Sequence, residues 1–197
     1  MIWLLNLTLY IDLVTYEHLE LTYKPLHRQT ILFTQICTMG GILTIDNLVK
    51  KNLPKVNWCC LCQCDEETVD YLLLHCKFVH NLSSEVFSLF GIQWVMPKIV
   101  ESLLSAWWNW LGIQSSNVWN MVPVCLMWLT WKEHNARTFE DIERTVDLLK
   151  SLLTRTLFEW SCIWSFTHCT ALSNFLNFVS FSHWFVCICF FAVSSLL

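Results

Sequence analysis

Charge is what this chain of 197 residues has least of. Asp, Glu, Lys and Arg together make up 14%, against about 25% in ordinary soluble domains. With 55% apolar residues, the surface would be poorly solvated unless a partner or lipid covered part of it. Gly and Pro are also scarce, at four each, which argues against many tight hairpins and for long helices. The net charge of −4 excludes a global basic footprint for nucleic acid. A local excess exists at Lys50, Lys51 and Lys55, which face only Asp46 between Gly41 and Trp58. It is a candidate nucleic-acid contact, and a solvated helix end explains it equally simply.

Catalytic signatures are missing as well. No two Asp are adjacent, so the paired carboxylates that hold two divalent metals for phosphoryl transfer are absent as a motif. Asp12, after Tyr10, stands alone in an apolar run. There is no phosphate-binding loop, no dinucleotide fingerprint and no Gly-x-Ser-x-Gly elbow. His27, His134 and His168 have no neighbouring partner in sequence that would suggest a nucleophile–base pair. The chain therefore reads as non-enzymatic, without a small-molecule substrate.

Cysteine and tryptophan are abundant instead, at 11 and 12 residues. Cys59, Cys60, Cys62, Cys64 and Cys76 crowd one stretch, whereas a secreted disulfide scaffold would spread them and follow a signal peptide. Met1 to Leu5 has no positive n-region and no small-residue cleavage site, so reduced thiols in an intracellular compartment are expected. Cys59-x-x-Cys62 followed by an amphipathic stretch ending His75-Cys76 suits a metal, with two thiolates from a tight turn and two ligands from a helix. Cys59, Cys62 and Cys76 are the candidate thiolates, with His75 as fourth ligand or, alternatively, His80, four residues past Cys76 on the same helical face. Cys60 and Cys64 are spare thiols. The plain alternative is that Cys76 and Leu72 are core residues and no metal binds. Trp107, Trp108, Trp110, Trp128 and Trp131 could stack on bases, but their helical spacing among Leu and Met is that of a core.

Along the chain, residues 1–40 show no clean periodicity and are punctuated by Pro25 and Gly40-Gly41. Thr44 is a candidate cap for a short helix carrying Ile45, Leu48 and Val49. Glu66, Glu67 and Thr68 form a helix start favoured by the helix dipole, with Val69, Leu72, Leu73 and Cys76 on one side. A helix from Pro97 to Gly112 buries Val100, Leu103, Leu104 and Trp107. Another, capped by Ser115 or Ser116, contains Pro123, which should kink it or delay its start. A last amphipathic helix runs from about Asp141 to Trp160. After Glu159 no charged side chain follows, and residues 175–197 form an apolar tail whose purest run, Trp184 to Ala192, is shorter than a membrane span of about 20 residues.

Ile42-Leu43-Thr44-Ile45-Asp46-Asn47-Leu48, the cysteine knuckle, Glu66-Glu67-Thr68-Val69-Asp70 and Leu72-Leu73-Leu74-His75-Cys76 together resemble the reverse-transcriptase zinc-binding domain of plant LINE-type, non-LTR retrotransposon polyproteins. Trp131-Lys132-Glu133-His134-Asn135 resembles the Trp-Lys-Glu-Arg-Asn motif that follows that domain, with His134 in place of Arg. The resemblance covers about residues 41–165. It implies zinc as cofactor, held by Cys-x2-Cys and His-x4-Cys, which falls on Cys59, Cys62, position 71 and Cys76. Position 71 is Tyr, a poor zinc ligand when neutral, since its ordinary pKa is about 10.

The expected architecture is mainly α: a small zinc-knuckle-like module, a helical bundle and an apolar C-terminal tail. The expected division is a divergent segment over 1–40, the zinc-binding-like domain over 41–95, a helical extension over 96–165 and the uncharged tail over 166–197. The expected function is a non-catalytic polyprotein fragment with a degenerate zinc-binding module that contacts RNA or DNA, located in the nucleus by resemblance. The alternatives are a membrane-associated protein held by residues 175–197, or a decayed reading frame without selected function.

Overall fold

The structure is a computed structural model that describes residues 24–52, 56–107 and 113–179; side chains are described from residue 30 and, in the last stretch, from residue 117. It is helical, and no strand occurs among the described residues. In order, the helices are α1 (Lys24–Thr38), α2 (Ile45–Lys50), α3 (Lys77–Leu89), α4 (Val100–Trp107), α5 (Ile113–Asn135) and α6 (Val146–Ile163). Two five-residue π-turns, Tyr71–His75 and Ala136–Glu140, lead into α3 and out of α5. Residues 172–179 are again helical. The expected mainly α class, a cysteine knuckle followed by helices, is what the chain adopts.

α5 is the centre. Val118, Trp119, Met121, Val122, Cys125, Leu126, Met127 and Leu129 are buried around its circumference, the mark of a helix enclosed by others. α1, α3, α4, α6 and the first π-turn all pack on it. One core thus runs from Phe33 and Cys37 of α1, through the knuckle residues Cys59 and Cys76, to Leu153 and Leu157 of α6. Packing crosses residue 95 without a break, because α3 lies against both α5 and α6.

Several local expectations are corrected. α1 was not legible because Thr30 and Thr34 occupy its buried face beside Phe33 and Cys37; the Thr34 hydroxyl donates to the Thr30 carbonyl at 2.8 Å, which satisfies it inside the helix. α4 starts at Val100 rather than at Pro97, and its first N–H is taken by the Asp70 carboxylate at 2.9 Å. α6 starts at Val146, where the Thr145 side chain accepts from the Leu148 N–H. Pro123 does not delay α5, which begins ten residues earlier at Ile113. Its ring leaves the Trp119 carbonyl without an intrahelical donor, and the Trp107 indole N–H donates there at 2.8 Å. The two indoles also stack, with centroids 4.1 Å apart at 14°.

Trp107, Trp128 and Trp131 belong to or pack on the core, with Trp128 and Trp131 flanking Phe33 at 5.2 and 5.4 Å. Trp108 and Trp110 lie outside the described residues. No described helix is long and apolar enough to cross a membrane; residues 180–197 of the expected tail lie outside the described residues.

Candidate metal centre

The knuckle is a tight turn in which the Gln63 N–H donates to the Cys59 carbonyl at 2.8 Å and Gln63 takes a left-handed conformation at φ 52°. Thr68 then caps the next turn, its hydroxyl oxygen accepting from the Tyr71 N–H at 3.2 Å. In a regular α-helix residues five apart point about 140° away from one another. Here the Cys76 N–H donates to the Tyr71 carbonyl at 2.8 Å, a π-type bond that widens the turn. Residues 71 and 76 are thereby brought to the same side, facing the knuckle.

Cys59, Cys62 and Cys76 converge, their sulfurs all within 4.8 Å of one another. The Cys59 and Cys76 sulfurs share a hydrogen bond at 3.7 Å, and the Tyr71 hydroxyl stands 3.3 Å from the Cys62 sulfur. Two sulfurs bonded to one zinc at about 2.3 Å would stand about 3.8 Å apart in tetrahedral geometry. The thiols thus fit a metal. Tyr71 fills the place of the fourth ligand, yet its oxygen suits zinc poorly: the hydrogen bond to Cys62, then burial, pushes the phenol above its ordinary pKa, so it stays protonated. The shared bond with Cys76 lowers Cys59 to about 6 in spite of burial, and the same bond raises Cys76.

His75 and His80 do not join this group, which corrects their assignment as fourth ligand. The turn that brings residues 71 and 76 inward sends His75 outward, where its Nε2 meets the Lys98 carbonyl at 3.0 Å. His80 is exposed on α3. Cys64 is exposed, its thiol donating to the Cys62 carbonyl at 3.0 Å. Of the basic residues, Lys50 pairs with Asp46 one turn earlier at 2.9 Å and Lys51 is exposed. Lys55 lies outside the described residues.

Behind the knuckle is a buried polar lock that sequence reasoning missed. Glu67 is fully buried; its carboxylate accepts from the Ile45 N–H at 2.9 Å, the Cys60 N–H at 3.1 Å and His134 Nε2 at 2.8 Å. It thus ties α2, the knuckle and α5 together. Burial alone would discharge His134, but hydrogen bonds to Cys60 and Glu67 outweigh it and raise the imidazole to about 10. Burial likewise opposes ionisation of Glu67, and the bond to His134, its charge and the Cys60 and Ile45 N–H groups together more than offset it, keeping the carboxyl below its ordinary value. The Cys60 sulfur lies within 4.8 Å of the Glu67 and His134 donor atoms. In that second group the Glu67 carboxylate is already taken by protein N–H groups and the Cys60 sulfur accepts from the Thr138 hydroxyl at 3.6 Å, so it works as a lock.

Immediately before His134, buried Glu133 accepts from Arg137 Nε at 2.8 Å, the Arg144 N–H at 2.9 Å and Arg144 Nη1 at 2.9 Å. Arg137 also donates to the Leu61 carbonyl at 3.4 Å, gripping the knuckle from outside. In so weakly charged a chain, the three consecutive ionisable residues Lys132, Glu133 and His134 at the end of an apolar helix were the available signal. Glu67 gave none, since its partner lies 67 residues away.

Residues 21–82 match the family model described as zinc-binding in reverse transcriptase. The match begins before the expected residue 41, so it takes in α1, and it ends before the Trp131–Glu140 segment. No curated protein and no solved structure matches the chain.

Proposed function

We propose that the chain is a non-catalytic, reverse-transcriptase-derived module of LINE-type retrotransposon ancestry, in which a metal-ordered knuckle is docked on a helical bundle and serves nucleic-acid binding. The convergence of Cys59, Cys62 and Cys76 inside the matched span carries this reading. The Trp131–Asn135 motif supports it, because His134 meets Glu67 of the knuckle signature in the core. No paired-carboxylate motif stands in the sequence, which favours a binding role.

The metal would be held by the three thiolates and would order the turn that carries them, as structural ions do. Lys50, Lys51 and Lys55 are the residues assigned to phosphate, through contacts that weaken as salt rises. The test measures metal content and anisotropy of labelled single-stranded RNA and DNA with the full chain. About one metal ion per chain is expected, lost in Cys59→Ser, and Lys50→Ala with Lys51→Ala should weaken nucleic-acid binding at low salt. A chain without metal under zinc, cadmium and monovalent copper, or binding indifferent to the lysines, would overturn the corresponding half of the reading.

A further inference from the structure

We propose that the Cys59–Cys62–Cys76 group is a three-sulfur site that prefers a soft, three-coordinate ion of the monovalent-copper class over zinc. This rests on the reading above that the three thiols hold a metal, and it adds which metal they choose.

The argument starts from the donors. Zinc in structural sites takes four ligands, nearly always thiolate or imidazole. Three sulfurs are in place here, and the fourth place is filled by the Tyr71 phenol, 3.3 Å from Cys62. Neither histidine offered by the sequence can replace it without rebuilding the turn, because His75 is held at the Lys98 carbonyl and His80 faces solvent. A zinc ion would therefore be one good ligand short.

Soft monovalent copper is satisfied by thiolates alone and selects them over oxygen. With metal–sulfur bonds of about 2.3 Å, sulfurs in a trigonal plane stand about 4.0 Å apart. The observed group, one pair at 3.7 Å and all within 4.8 Å, needs little adjustment to reach this. Tyr71 then gains a different role. A metal-bound thiolate can only accept, so the Tyr71 hydroxyl, 3.3 Å from the Cys62 sulfur, would donate to it, and such a bond stabilises and orients that ligand. Tyr71 is thus a positioning residue. Binding displaces whatever protons the three sulfurs still carry in exchange for one ion, and involves no electron transfer.

Cys59 and Cys76 are buried, while Cys62 and Tyr71 are partly open. A surface cleft of about 470 Å³ lined by Cys60, Cys62, Gln63 and Arg137, among others, adjoins that open edge. An ion can therefore arrive at Cys62 without unfolding of the core.

The test uses the full reduced chain under anaerobic conditions, with monovalent copper and zinc each titrated against a chromophoric chelator of that ion. X-ray absorption then counts the donors. One copper ion with three sulfurs is expected, and a tenfold excess of zinc should leave it in place. Tyr71→Phe should keep copper within about tenfold, the low end of an outer-sphere effect, while Tyr71→His should raise zinc affinity at least tenfold. Cys62→Ser, at the half-exposed edge where folding is least at stake, should lose copper; Cys64→Ser should not. Zinc bound as tightly by the native chain as by Tyr71→His, or an oxygen donor on copper, would overturn the preference and leave the metal knuckle standing. Failure of both ions to bind would overturn the knuckle itself.

Discussion

Glu67 and His134 are both fully enclosed, 2.8 Å apart, in a chain that has few charges to spare. Breaking a buried ion pair by removing one partner leaves the other charge without compensation, which costs about 3–5 kcal/mol. Glu67→Gln should therefore lower stability by that order, and more than Asp46→Asn, whose partner Lys50 is solvent-exposed. The pair also sets a pH dependence. His134 has its folded pKa raised to about 10, above the ordinary 6.5, so its contribution is complete below about 6.5 and is lost as pH rises through about 10. Glu67 has its folded pKa lowered, so its contribution holds above the ordinary carboxyl range and fades as pH falls. His134→Gln removes the imidazole titration while keeping a donor for Glu67. Urea midpoints for the two proteins should draw together from pH 6.5 to 10; a gap that stays constant across that range would show that His134 is neutral in the fold.

At the scale of the element, α5 accommodates Pro123 by borrowing a donor from α4. The Trp119 carbonyl, four residues before the proline, accepts the Trp107 indole N–H, so a break in one helix's ladder becomes a link between two helices. Trp107→Phe would leave that buried carbonyl unsatisfied, at about 1–3 kcal/mol, besides shrinking the stacked ring. Pro123→Ala restores a backbone N–H that can serve the carbonyl. In the Pro123→Ala background Trp107→Phe should then cost less, and a double-mutant cycle by chemical denaturation measures the difference. Additive effects would mean that the indole N–H matters only through packing.

The same scale shows what periodicity could and could not reveal. The side formed by Val69, Leu72, Leu73 and Cys76, and the apolar face of α6, follow helical spacing and are buried as expected. The π-turn at Tyr71–His75 was not legible, because one widened turn leaves the pattern of apolar residues almost unchanged while it re-aims Tyr71, His75 and Cys76. That is why the three cysteines were correctly grouped by spacing and the histidine was not. α1 escaped because threonines that satisfy themselves look polar in sequence and behave as core in the fold.

At the scale of the whole molecule, the family span and the cooperative unit differ. Residues 21–82 contain the knuckle, but Leu72, Leu73, Leu74, Val79 and Leu82 are buried in a core shared with α5 and α6, and Glu67 depends on His134. Each such side chain loses about 1.5–3 kcal/mol of burial if its cover is removed, and a domain of that size has only about 3–5 kcal/mol to lose. A metal-free fragment of residues 21–82 should therefore show no cooperative urea transition, whereas residues 21–179 should unfold in one. Hydrogen exchange supplies the independent readout, with amides of the first π-turn and α3 protected in the longer chain and unprotected in the shorter. Protection retained by the metal-free fragment would mean that the knuckle carries its own core and that α5 and α6 merely rest on it. Loss of protection that a bound ion restores would divide the stabilisation between metal and bundle, with the ion replacing at the knuckle what Glu67 and the leucines obtain from the helices.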